Sequence, residues 1–201
     1  MSADWVVLFI GGPSSVGKTS AAKRIATISG ATLLQADDVW LALKRAIDPK
    51  DSPLLHTLST PDFWRRPAAE LVTTKRELAE LISSSLEFVV ATHLWQDDRV
   101  VIEGVWITPE FAARPVYHGV SAGERRRAAF VIEVDASHIH QTMLAKRGAF
   151  GHWTDADRKV FAATEATYAR WLRTQALMRN VPTVDARPVG HLAERILAAI
   201  V

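Results

Sequence analysis

Short apolar runs alternate along the chain with longer stretches in which hydrophobic positions recur every three or four residues. The runs are Trp5–Ile10, Ala31–Ala36, Arg99–Glu103, Ala128–Val134 and Val181–Asp185. Each is brief and rich in Val, Ile, Leu or Phe, as strands covered on both faces are. Helical spacing fills Lys18–Ser29, Val39–Ala46, Pro61–Ala91, Ser137–Lys146, Ala156–Met178 and Val189–Ile200. This alternation predicts an α/β chain of three layers, a parallel sheet with helices on both faces. No internal repeat, low-complexity stretch or long linker interrupts it, so one domain is expected over residues 1–201.

Local signals sharpen some boundaries. Thr60-Pro61 reads as an N-cap followed by proline at the first helical position. Thr154 with Asp157 three residues later reads as the start of the next helix. Within that helix Val160, Phe161, Thr164, Tyr168, Trp171, Leu172, Gln175 and Met178 form a stripe expected to pack on the sheet. The segment Ile47–Arg66 is the least regular, with Pro49, Pro53, Pro61, Phe63 and Trp64. A connection that long in a compact domain is commonly a functional one.

Composition narrows the class. Of 201 residues, 48% are hydrophobic and 23% charged, and the formal charge is +2. That balance fits a globular protein and argues against nucleic acid as a partner. The basic clusters Lys44-Arg45, Arg65-Arg66 and Arg125-Arg126-Arg127 are short enough to be solvated faces. With no cysteine there are no disulfides or thiolate metal sites, which fits a cytoplasmic home. Trp5–Ile10 is too short to span a membrane, and Asp4 precedes it where a signal peptide carries positive charge.

The chemistry starts after the first run. Gly12-Pro13-Ser14-Ser15-Val16-Gly17-Lys18-Thr19 matches G-x-x-x-x-G-K-[ST] in full, between a predicted strand and a predicted helix. Such a loop curls so that successive main-chain N–H groups face one anion, and the helix N-terminus adds its partial positive charge. Residues 12–20, Gly12 through Ser20, are therefore the candidate nucleotide contacts. Lys18 is expected to bridge the β- and γ-phosphates of ATP, and the Thr19 hydroxyl to complete a Mg2+ shell.

A phosphate loop does not say what is phosphorylated. The second run ends in Asp37 and Asp38, at the strand end that opens onto the ligand crevice of such a sheet. Asp37 is the candidate base for an attacking hydroxyl, and Asp38 a helix cap or substrate contact. The third run ends in Glu103-Gly104, where a carboxylate holds magnesium or its water shell and can also meet substrate. Lys146, Arg147 and Arg158 flank Gly148–Gly151, and a lid over 146–158 would bring Arg147 to the transferring phosphoryl group. Residues 47–95 are the expected acceptor-binding region. Lys44 and Arg65, with Arg45 and Arg66, suit an anionic acceptor; Trp40, Leu41, Leu54, Leu55, Phe63 and Trp64 suit an apolar one. Both readings stay open.

The loop Gly11–Thr19 and Ala36-Asp37-Asp38 resemble the adenylate-kinase-like small-molecule kinases. Chloramphenicol phosphotransferase, in that group, has a similar loop and an aspartate after its second strand; Asp37 matches that family's proposed base. Val101-Ile102-Glu103-Gly104-Val105-Trp106-Ile107-Thr108-Pro109 is similar to the 2-phosphoglycerate kinase pattern, except that Trp106 stands where that family usually has histidine. The stretch from Asp135 to Arg147 and the segment Val181–Asp185 look alike as well. These resemblances span most of the chain except roughly 47–94. They imply a sheet of order 2-3-1-4-5 and transfer of the ATP γ-phosphoryl group to a hydroxyl of a 2-phosphoglycerate-like metabolite or an antibiotic. A nucleoside or nucleotide kinase and a non-catalytic ATP-binding module are the alternatives. A regulatory GTPase would need an Asn-Lys-x-Asp segment, which the chain lacks.

Overall fold

A computed structural model describes residues 4–60, 63–145 and 153–200. In chain order the elements are β1 (Val7–Gly11), α1 (Lys18–Ser29), β2 (Thr32–Gln35), α2 (Ala36–Ala46), α3 (Pro53–His56), α4 (Ala68–Ser85), α5 (Glu87–Gln96), β3 (Val100–Gly104), α6 (Pro109–Ala112), β4 (Val116–Tyr117), β5 (Val120–Ser121), β6 (Arg126–Ile132), α7 (Ala136–Ala145), α8 (Asp155–Met178), β7 (Thr183–Asp185) and α9 (Leu192–Ala199). Five strands pair in parallel in the order β2-β3-β1-β6-β7. That is the expected 2-3-1-4-5 once the small β4–β5 hairpin is left out of the count.

Alternation along β1 shows why both faces need cover. Val7 and Phe9 point into a core built with α4, α5 and α8, where Leu78, Ile82, Val90, Tyr168 and Leu172 meet them. Leu8 and Ile10 point the other way, onto Ile25 of α1 and Ile196 of α9. All four strand residues have no solvent exposure. At about 1.5–3 kcal/mol for each large apolar side chain fully buried, this double layer is the main stabilising contribution.

Two expected elements change, and a hairpin is added. The long helix Pro61–Ala91 is two helices, α4 and α5, meeting at the fully buried Leu86. Its start moves to Ala68 because Pro67 disfavours helical geometry at the residue before it, leaving only a 3₁₀ turn at Phe63–Arg65. Pro61, the expected first helical residue, lies outside the described residues. The β4–β5 hairpin was not anticipated: it turns at His118-Gly119, both with positive φ, and seats Tyr117 against Phe9 and Phe111. The predicted α8 stripe also shifts, since Val160 and Met178 are exposed while Ala162, Glu165, Ala166 and Ala169 are buried.

Thr154 caps α8 as its sequence signals. Its hydroxyl accepts from the Asp157 N–H at 3.1 Å, and the Asp157 carboxylate accepts from the Thr154 N–H at 3.1 Å. This capping box pins the start of the helix that carries Glu165 toward the phosphate loop. The arginine cluster at 125–127 is structural: Arg125 donates to the Leu94 carbonyl at 2.7 Å, Arg126 to that of Ala112, and Arg127 to that of Ile200 at 2.9 Å.

Candidate active site

The chain leaves β1 at Gly11, curls through residues 12–17, and enters α1 at Lys18. Gly12 has φ 142°, and a Cβ there would lie 2.3 Å from the Val131 carbonyl oxygen, so only glycine lets the loop pass β6. Ser15 is buried with φ 63°, and Gly17 ends the loop at φ 89°. The N-cap of α1 is Gly17, which brings no side chain of its own to the helix's first N–H groups, and these face the loop's hollow. The Lys18 side chain folds back into that hollow and donates to the Pro13 carbonyl at 2.6 Å. Pro13, Ser14, Val16 and Ser20 complete the loop and the first turn of α1, Ser20 on its exposed side.

Thr19 Oγ1 donates to Glu103 Oε1 at 2.8 Å. Glu103 is 3% exposed at the end of β3, opposite Ile10 in the register with β1. Two hard oxygen donors thus stand side by side at the rim of the loop. That pairing fits a magnesium ion, which takes one or two protein oxygens and its remaining ligands from phosphates and water.

The step from β2 to α2 carries Asp37 and Asp38. Helix α2 begins at Ala36, earlier than the predicted Val39, so both acids lie in its first turn, where the helix dipole favours negative charge. Gly104 makes this placement possible: a Cβ on it would come 2.7 Å from the Ala36 Cβ. Asp37 keeps a solvent-exposed side, yet its carboxyl is crowded by protein elsewhere. Burial pushes the Asp37 carboxyl above its ordinary range. The ammonium groups of Lys18 and Lys75 and the indole N–H of Trp106 pull it back down, and Glu165 adds to the upward push. Asp38 accepts from the side chain of Gln35, the N-cap residue, at 3.3 Å.

Lys18, Thr19, Asp37 and Glu103 therefore converge. Other sequence candidates stand apart. Lys44 is in the last turn of α2, about 10 Å along the axis from Asp37. It meets Ser59 Oγ and lies 5.4 Å from the Trp40 ring. Arg65 is exposed at the end of a 3₁₀ turn, close enough to Asp157 to lower that carboxyl's pKa. Arg147 and Lys146 lie outside the described residues. Arg158 is in the first turns of α8, also beside Asp157.

Sequence reasoning missed a buried pair behind the loop. Lys75 Nζ of α4 lies 2.5 Å from Glu165 Oε1 of α8, with side chains 4% and 0% exposed. Oε2 of Glu165 accepts the Ser14 N–H at 2.7 Å. The available signal was charge at helical spacing within an apolar face: Lys75 falls between Leu71 and Leu78, Glu165 between Phe161 and Tyr168.

A small cleft opens on the other side of the loop. Ser15, Val16 and Gly17 form its floor, Ile139 and Thr142 of α7 one wall, and Ala186 and Val189 another. Glu133 joins its polar edge, 3.2 Å from His138 Nδ1 and 3.4 Å from Arg187 Nε. Among the described residues no helix is long and apolar enough to cross a membrane.

No protein-family model matches this chain, and no curated protein matches it. Solved structures do. Shikimate kinase from Bacteroides thetaiotaomicron aligns over 96% of this chain and 95% of its own, at 16% identity and a TM-score of 0.52. A gluconokinase from Sinorhizobium meliloti 1021 aligns over 99% of this chain and 93% of its own, at 16% identity and 0.47. A sugar kinase from Janibacter sp. aligns over 97% and 94%, at 17% identity and 0.49. At these identities the likeness is one of fold, and the architecture of this chain is that of the shikimate kinase structure.

Proposed function

We propose that this chain is an ATP-dependent phosphotransferase that moves the γ-phosphoryl group to a hydroxyl of a small molecule. The observation that carries the reading is the Thr19–Glu103 hydrogen bond at the rim of a complete glycine-rich loop, with the Asp37 carboxyl beside Lys18. A bare anion-binding turn needs neither carboxylate.

The residues divide the work. The loop amides and Lys18 bind the triphosphate, and the cleft beside Ser15–Gly17 receives the nucleoside. Thr19 and Glu103 are the residues that would hold magnesium, which supplies charge neutralisation on the phosphate oxygens when bound. Asp37 accepts the proton of the acceptor hydroxyl; burial raises its carboxyl above the ordinary range, which makes it a stronger base than a solvated aspartate, and the ammonium groups of Lys18 and Lys75 favour its charged form. The acceptor enters over α2, where Trp40 meets Trp106 at 5.4 Å between ring centres and Lys44 flanks Trp40. Asp38, Lys44, Arg65 and Glu103 are its candidate contacts, and residues 47–95 its surrounding region. A lid over 146–158 would supply Arg147. The resemblance to 2-phosphoglycerate kinase and chloramphenicol phosphotransferase supports a phosphoglycerate-like metabolite or an antibiotic as acceptor.

The test is an ATP-consumption screen with magnesium against phosphoglycerates, sugars, nucleosides, aminoglycosides and phenicols, products being identified by mass. A product heavier by one phosphoryl group, lost in Asp37→Asn, is expected. ATP binding with no acceptor turned over in any class would overturn the phosphotransferase reading.

A further inference from the structure

Buried ion pairs seldom add net stability, because taking two charges out of water costs about what their attraction returns. Lys75 and Glu165 lie on helix faces that are mostly apolar, and an apolar pair of similar volume would fill the same space. What the charges add is connection. Glu165 accepts the Ser14 N–H at 2.7 Å and forms an ion pair with Lys75 at 2.5 Å. The Lys75 ammonium lies 5.1 Å from the Trp106 ring centre and 5.0 Å from that of Tyr168, whose hydroxyl donates to the Val105 carbonyl at 3.2 Å. Trp106 is 2% exposed, and its indole N–H acts on Asp37 while making no well-aligned hydrogen bond among the described residues. The chain of contacts runs from the phosphate loop through α8 and α4 to Trp106, and the Lys75 ammonium and the Trp106 indole both act on the Asp37 carboxyl.

We propose that Lys75 and Glu165 are positioning residues of the transfer centre: Glu165 pins the Ser14 amide of the phosphate loop, and Lys75 sets a fixed positive charge against Asp37. This rests on the phosphotransfer reading of the same site. Lys75 reaches none of the reacting atoms; it acts through Asp37, with two aromatic rings and a carboxylate restricting its own motion. The groups facing Asp37 are Lys18 from the start of α1, Lys75 from α4, Glu165 from α8 and Trp106 after β3. On its own helix Asp38 turns to Gln35.

Because the two charges are opposite, their removal acts on Asp37 in opposite directions. Carboxyl-carbon NMR should show Asp37 titrating at higher pH in Lys75→Met and at lower pH in Glu165→Gln, with Lys75→Arg returning it toward the wild type. The Ser14 amide proton should move upfield in Glu165→Gln as its charged acceptor is lost. If Lys75→Met does not fold, Lys75→Met/Glu165→Gln keeps the interior neutral, and Asp37 should still shift upward, since the lysine acts on it more strongly than the glutamate. With an acceptor from the screen, Lys75→Met should lose ~10-fold in kcat at nearly unchanged KM for ATP, and the double variant, which also gives up the charged partner of the Ser14 amide, should lose as much in kcat and show a raised KM for ATP. An Asp37 titration unmoved in the folded variants, or an unmoved Ser14 amide, overturns the proposal. Calorimetry of the wild type with Mg-ATP separates the two claims: absence of binding removes the phosphotransfer reading, whereas the NMR shifts judge the pair by themselves.

Discussion

The hydroxyl of Thr19 and the carboxylate of Glu103 are joined by a 2.8 Å hydrogen bond that links the first turn of α1 to the end of β3. Eighty-four positions separate them along the chain. The parallel pairing of β1 with β3 brings them together, since Ile10 lies opposite Glu103 and Gly11 opposite Gly104. Parallel strands deliver all their carboxyl ends to one edge of the sheet, and in open sheets of this kind ligands bind at that edge.

If this pair holds magnesium, Glu103→Gln should raise the magnesium concentration for half-maximal activity by ~10-fold or more. Thr19→Ala should do the same. Affinity for ATP without magnesium should barely change in either variant, which calorimetry in a chelating buffer checks.

Asp37→Asn separates binding from chemistry. Turnover should fall by a factor of ~100 or more with nucleotide affinity nearly intact. The same change should raise the melting temperature at neutral pH. Burial holds the Asp37 carboxyl above its unfolded value, so the native state binds its proton more tightly than the unfolded chain. Its contribution is fully favourable below the unfolded carboxylate pKa and is lost as pH rises through the folded one. The stabilisation by asparagine should therefore vanish in melts below the ordinary carboxylate range.

Gly104→Ala should impair catalysis without touching any reacting group. Its Cβ would press on Ala36 at 2.7 Å, and Ala36 precedes the candidate base. Overpacking of this kind costs about 1–3 kcal/mol. Turnover should drop, while the position of the phosphate loop, read by ATP affinity, should hold.

Thr154→Ala removes the N-cap of α8, a loss of about 1 kcal/mol. For a chain of 201 residues that corresponds to roughly 2–4 °C in melting temperature. Activity at low temperature should persist, because the cap acts on the helix and not on its charged face.

The sheet was legible because its central strands β1, β3 and β6 are covered twice, which makes them continuous apolar runs, whereas the outer β2 and β7 are partly exposed; the loop was legible because phosphate binding tolerates few sequences. The placement of Asp37 and Glu103 beside the loop followed from their position at strand ends. The break at Leu86 was hidden, since a buried leucine at helical spacing reads as helix whether or not the axis bends there. The hairpin turning at His118-Gly119 was hidden by its length, two residues in each strand. Lys75 and Glu165 escaped because helical patterns are read by their apolar members, and a charge within the stripe looks like noise until its opposite is found on another helix. Only tertiary structure brings α4 and α8 together.

Isothermal calorimetry with Mg-ATP on the wild type and on Lys18→Ala tests the central claim most directly. The account expects one saturable site in the wild type and a loss of ~10-fold or more in affinity when the amine over the loop is removed. Absence of binding by any purine triphosphate, or equal affinity in the two proteins, would contradict it.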